Sequence, residues 1–203
     1  MLTCCNYSSL VVDWLSDNST GQNTAVTSFF FDFGAGKDQS ATSVLGSLLW
    51  QVVNGMERIQ GRISRALREQ RRLVGGRWLQ LGSIVKMLQA ITSSHPTFIC
   101  IDGVDECEGL QRVELLDSLQ AILKKSSRTR IFLTGRPHIR AQVEKGLSHH
   151  MVSVSISPTK DDIIKYLRTR LGKDERSDAM DESLEAGILG GVPQHISEMW
   201  VEE

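Results

Sequence analysis

An α/β fold with a mostly parallel sheet and flanking helices is predicted by three observations. Nearly unbroken apolar runs stand at Thr97–Asp102 (TFICID) and Arg130–Thr134 (RIFLT), as expected of parallel strands covered on both faces. Longer stretches with apolar residues at three- and four-residue spacing separate the strand-like runs. Strands that alternate with helices imply right-handed crossovers, and ligands in such sheets lie beyond the carboxyl ends of the strands.

Two further strands are predicted at Thr27–Phe33 (TSFFFDF) and Met151–Ile156 (MVSVSI). The first helix is expected to begin near Leu2, with a stripe of Leu10, Val11, Trp14 and Leu15. The second carries Val44, Leu45, Leu48, Leu49, Val52 and Val53. Ile84, Val85, Leu88 and Ile91 mark a third, and Val113, Leu116, Leu119, Ile122 and Leu123 a fourth. Pro137 suits the first turn of another. A further helix carries Ile163, Ile164, Leu167 and Leu171, with Ser157 or Thr159 as its cap and Asp161 and Asp162 at its positive end. Residues 1–172 are read as one α/β domain and 173–203 as an acidic helical extension, the start of a helical lid region.

Composition narrows the classes. The 203 residues are 40% apolar and 23% charged with a net charge of −1, which suits a packed core and excludes a globally basic nucleic-acid binder. Four cysteines, two of them adjacent, do not make a disulfide framework, so free thiols and a cytoplasmic location are expected. No apolar run approaches the roughly 20 residues of a membrane span. The N-terminus lacks the basic and apolar regions of a signal peptide.

The chemistry is concentrated after the second apolar run, in Asp102-Gly-Val-Asp105-Glu106-Cys107. A carboxylate at a strand tip can hold Mg²⁺ beside nucleotide phosphates. A second acid close by can orient or deprotonate a water. This is an extended Walker B pattern; a strand followed by an acidic turn is the structural alternative. The next strand ends Thr134-Gly-Arg136-Pro137, where an arginine could read a γ-phosphate.

ICIDGVDEC, RIFLTGRP, VSVSISPTKDDIIKYLRTRL and TSFFFDFGAGKDQSATSVLGSLLWQVV together resemble the NACHT domain of STAND-type P-loop NTPases. More narrowly, they resemble the nephrocystin-like N-terminal NACHT domains of fungal NLR-like proteins. The resemblance covers roughly residues 3–172. It implies a P-loop NTPase three-layer fold and an ATP- or GTP-binding switch that couples nucleotide state to oligomerisation and signalling. It also implies Mg²⁺ on Asp102, Asp105 and Glu106 as the hydrolysis acids, and Arg136 with Thr134 at the nucleotide.

In that family G-x-x-x-x-G-K-[ST] precedes the first helix. Here the first strand and phosphate loop are expected to be missing, and hydrolysis weak or absent. Gly34-Ala-Gly-Lys37 is a poor substitute, because Asp38 follows the lysine and would repel phosphate; a strand-to-helix turn is the better reading. The alternative function is a non-catalytic decoy or scaffold that binds related NACHT proteins. Its contacts would be with protein partners or with itself.

The remaining features are weaker. Arg58, Arg62, Arg65, Arg68 and Arg72 recur at helical spacing and read as a solvated face, with an anion site as the alternative. Gly190-Gly-Val-Pro193 reads as a turn at a helix boundary. The four tryptophans read as core or boundary residues, and His149-His150 has no companion ligands.

Overall fold

The computed structural model describes residues 2–19, 22–32, 34, 39–55, 79–147, 151–156, 159–171 and 182–199. It divides into two compact units, Met1–Met151 and Val152–Glu203.

The first unit is built on a three-stranded parallel sheet in the order β1-β2-β3. β1 is Ala25–Phe30, β2 is Thr97–Asp102 and β3 is Thr129–Leu133. Ala25 pairs with Thr97 and Phe30 with Asp102; Thr97 pairs with Thr129 and Ile101 with Leu133. Helices α1 (Leu2–Ser19) and α2 (Ala41–Gly55) precede and follow β1. α3 (Leu81–Thr92) leads into β2, α4 (Gly109–Leu123) leads out of it, and α5 is Arg140–Gly146. α1 packs on β1 and β2, α2 on β1, and α3 and α4 pack on each other and on α2. The α/β class with flanking helices is as predicted.

The core follows from the helical stripes. Val44, Leu45, Leu48, Leu49 and Val52 of α2 are buried with Ile84, Leu88 and Ile91 of α3. Leu115, Leu116, Leu119 and Ile122 of α4 close the cluster over Ile99 and Ile101 of β2. β2 is buried nearly throughout, as a central parallel strand should be. β3 is not: beyond Thr129 it is half-buried or exposed, since no strand covers its far edge among the described residues.

Several expectations need correcting. β1 starts two residues earlier than predicted and stops at Phe30, although the Phe31 N–H still reaches the Asp102 carbonyl at 3.0 Å. β3 is shifted by one residue, to Thr129–Leu133. Met151–Ile156 forms no strand and joins no ladder. Its alternation fits a pleat, but a strand needs a partner. Leu10, Trp14, Trp50 and Val113 are exposed rather than core residues. Leu115 supplies the α4 contact instead. Trp78, Trp200, His149-His150 and the arginine-rich 56–78 segment lie outside the residues with described side chains. Ser157 also lies outside the described residues.

In the second unit α6 (Lys160–Leu171) packs on α7 (Glu182–Met199), with Ile163, Ile164, Leu167 and Leu171 half-buried. Gly190-Gly-Val-Pro193 sits inside α7, not at a boundary.

Thr159 caps α6 reciprocally. Its Oγ1 accepts the Asp162 N–H at 3.2 Å, and its own N–H donates to Asp162 Oδ2 at 3.0 Å. The Thr159 hydroxyl and backbone N–H hold the Asp162 carboxyl below its ordinary range. A lowered carboxyl stabilises the cap above the unfolded value of about 3.9 and loses that effect as pH falls through the folded value. An NMR titration of Asp162 should therefore give a midpoint below about 3.9, and Thr159→Ala, which removes the hydroxyl but keeps the backbone N–H, should raise it part of the way. A midpoint unchanged by Thr159→Ala would exclude this cap.

Cys100 and Cys107 are free and buried. Burial pushes the Cys100 thiol up to about 11. It also raises Cys107, against the pull of the Arg112 charge.

Candidate functional site

The carboxyl ends of β2 and β3 bring the acidic turn and the arginine strand together, as parallel pairing requires. Asp102 ends β2 and is 3% exposed. A buried carboxylate needs donors, and two hydroxyls supply them. Thr134, just past β3, donates to Asp102 Oδ1 at 2.5 Å. Ser8 of α1 donates to the same oxygen. Thr134 Oγ1 also accepts the Gly103 N–H at 3.1 Å. The Thr134 N–H bonds Ile101 O, and its carbonyl accepts the Val104 N–H, each at 3.0 Å. Asp102 is thus held by two elements far apart in sequence.

Gly103 turns the chain with φ of 71°, a left-handed conformation that glycine adopts without steric penalty. A short 3₁₀ turn, Val104–Glu106, follows and places the next two acids. Asp105 faces the end of β3. Its Oδ1 accepts the Arg136 N–H at 3.2 Å, and its Oδ2 lies 3.3 Å from Arg136 Nε. The Asp105 side chain is buried while Arg136 is more than half exposed, so the pair forms the rim of the site. A Cβ on Gly135 would stand 2.8 Å from Ile139 Cδ1, so a larger residue there would push that side-chain tip aside. Glu106 is half-buried, and its side chain passes beside Gly103.

Arg112 of α4 fixes this turn from behind. Its Nη1 donates to the carbonyls of Asp105 and Cys107, each at 3.0 Å, and its Nε to Gln142 Oε1 at 2.8 Å. Charge-assisted bonds of this kind contribute about 1.5–3 kcal/mol each in protected positions. At the end of β1 the Gln39 amide pairs both backbone groups of Asp32. Of the candidate loop 34–37, only Gly34 is described; its N–H bonds Asp32 Oδ1 at 2.8 Å, a local turn. Lys37 lies outside the described residues.

The structure therefore brings together Asp102 with Thr134, and Asp105 with Arg136, all predicted from sequence. Ser8 and Arg112 were not predicted. A serine within a helix carries no motif, and only the contact 94 residues away reveals it. Arg112 belongs to an ordinary helical pattern and stands out only by its bonds to the turn.

The gathered oxygens of Ser8, Asp102 and Thr134 are hard donors, the kind Mg²⁺ takes. No group of three or more His, Cys, Asp or Glu that could hold a metal occurs among the described residues. A Mg²⁺ ion here would rest on one carboxylate with hydroxyl, water and phosphate oxygens, which is its usual habit at nucleotides. The donor chemistry fits the ion. No helix among the described residues is long and apolar enough to cross a membrane.

No curated protein and no solved structure matches the chain. A family model does: residues 6–136 match the N-terminal domain of nephrocystin 3, a stretch that takes in most of α1, the sheet, Ser8, Asp102, Asp105, Glu106, Arg112, Thr134 and Arg136. The chain belongs to the nephrocystin 3 N-terminal family.

Proposed function

We propose that this chain is a nucleotide-linked signalling module of the NACHT type, with Mg²⁺ and ATP or GTP as its ligands. The observation that carries the reading is the buried Asp102 carboxylate bonded to Thr134 across the ends of two parallel strands, beside the Asp105–Arg136 pair. Asp102, with the Ser8 and Thr134 hydroxyls, is the group that would hold Mg²⁺. When bound, the ion would neutralise charge on the phosphate oxygens. Arg136 would exchange Asp105 for a γ-phosphate oxygen, a shift that its exposed guanidinium permits. The released Asp105 carboxylate, with Glu106, would then orient water.

Affinity is expected to be low. The 203 residues contain no G-x-x-x-x-G-K-[ST] sequence. Losing two or three charge-assisted bonds removes roughly 4–8 kcal/mol, where micromolar binding is worth about 8. Titration of the labelled protein with Mg-ATP to about 10 mM should shift the amides of Gly103, Thr134 and Arg136 with a millimolar midpoint. No shift at these amides would remove the nucleotide reading.

A second reading, an interaction module, is favoured by the sheet edges. On β1, Gln51 of α2 pairs both backbone groups of Ser28, at 2.9 and 2.7 Å, and so blunts that edge. β3 has no such guard along Ile131 and Leu133. Protein contacts through this edge would not depend on the Asp102 site.

A further inference from the structure

We propose that Ser127 is a phosphorylation site: a protein kinase directed to basic sequences modifies it, and Arg130 with Lys124, Lys125 and Arg128 then holds the phosphoryl group. The site lies at the amino-terminal end of the sheet. It is independent of Asp102, which lies at the carboxyl ends of the strands.

Ser127 stands in the turn between α4, which ends at Leu123, and β3, which starts at Thr129. The sequence there is Lys124-Lys-Ser-Ser-Arg-Thr-Arg130, four cations in seven residues. No acid occurs between Asp117 and Glu144. All four cations are exposed, and neither ion pair among the described residues involves them. Like charges crowded in this way repel one another, and an anion relieves the repulsion.

Three hydroxyls lie in this stretch, and the fold separates them. Ser126 is 5% exposed; its Oγ donates to the Thr92 carbonyl at 2.6 Å and accepts from Thr129 Oγ1 at 2.8 Å. Thr129 is 2% exposed. Both hydroxyls are engaged inside the fold. Ser127 is exposed, and its hydroxyl has no partner among the described residues. The turn after α3 makes the comparison. Ser93 and Ser94 are exposed there too, but each donates to the Ala90 carbonyl. No lysine or arginine lies between Met87 and Pro96.

The cation that would hold the product is already in place. Arg130 Nη1 donates to the Ser127 carbonyl at 2.9 Å and to the Thr129 carbonyl at 3.1 Å, so its guanidinium lies against Ser127. A phosphoryl group adds about −1.5 to −2 charge, and opposite such a cluster it forms charge-assisted hydrogen bonds. In the step itself Ser127 Oγ attacks the γ-phosphorus of ATP on the kinase. The bond to the β-phosphate oxygen breaks, ADP leaves, and the hydroxyl proton passes to the kinase's aspartate.

Treating the full chain with Mg-ATP and the catalytic subunit of cyclic-AMP-dependent protein kinase, followed by peptide mass spectrometry, tests the site. That kinase reads basic side chains before the hydroxyl. Phosphorylation is expected at Ser127, lost in Ser127→Ala and slowed about tenfold when Lys124→Ala and Lys125→Ala are combined. These side chains are exposed, so an unchanged circular dichroism spectrum should verify the fold of each variant. Phosphate on Ser93, Ser94 or Thr129 in place of Ser127 would overturn the site. So would a rate that ignores the two lysines, or modification of the isolated peptide 120–132 but not of the folded chain. Phosphorus NMR reads the holding separately. Nearby cations favour the dianion, so the second ionisation should fall below its ordinary value of about 6 and return toward it in Arg130→Gln. A midpoint unchanged in Arg130→Gln would overturn the role of Arg130.

Discussion

Asp102→Ala is expected to destabilise the first unit by about 2–4 kcal/mol, while Asp102→Asn changes stability by less than about 1 kcal/mol. The difference comes from what each substitution leaves behind. Alanine removes the acceptor and strands the Ser8 and Thr134 hydroxyls, which point to a buried oxygen. Asparagine keeps an oxygen in place to accept both hydroxyls. The two hydroxyls keep their acceptor, so no buried donor is left unsatisfied. Urea unfolding of the two variants reads the contrast directly. Equal losses would mean that charge, not hydrogen bonding, holds the cluster. No loss in Asp102→Ala would mean that the cluster does not order the end of the sheet.

Leu119→Ala should lower stability by about 2–5 kcal/mol, the range for a fully buried leucine truncated in a close-packed core. Leu119 is 0% exposed and lies in the cluster that joins α2, α3, α4 and β2. Against a total of about 5–15 kcal/mol for a domain, that is a large share. Val113→Ala, on the exposed face of the same helix, should lose less than about 1 kcal/mol. The two substitutions remove similar chemistry, so similar losses would contradict the packing described for α4. The sequence stripe assigned both residues to the core, and unfolding midpoints would decide for the structure.

What could be read from the sequence depended on whether its cause was local. β2 was located to the residue because an unbroken apolar run stands between Pro96 and Gly103, both of which interrupt regular structure. The acids after it were legible because the spacing carries the chemistry. β1 was misplaced because the aromatic run continues past the point where pairing ends at Phe30. Met151–Ile156 has every local property of a strand, and lacks only a neighbour, which no local property supplies. Trp14 failed for the opposite reason. Its helix is amphipathic enough to suggest a stripe, but α1 meets the sheet through another face and leaves Trp14 64% exposed. Side chains that act at a distance were not legible at all. Ser8 meets Asp102, Gln51 meets Ser28 and Arg112 meets the acidic turn only after folding.

The site at the carboxyl ends of β2 and β3 stands or falls on whether Asp102 directs a divalent ion and nucleotide to that place. Mn²⁺ in place of Mg²⁺, added with millimolar ATP, reports position, because it broadens amide signals near the ion. The account predicts broadening confined to residues 102–106 and 134–136 in the wild type, and its loss in Asp102→Asn. Broadening spread over the acidic surface, or unchanged in Asp102→Asn, would contradict it.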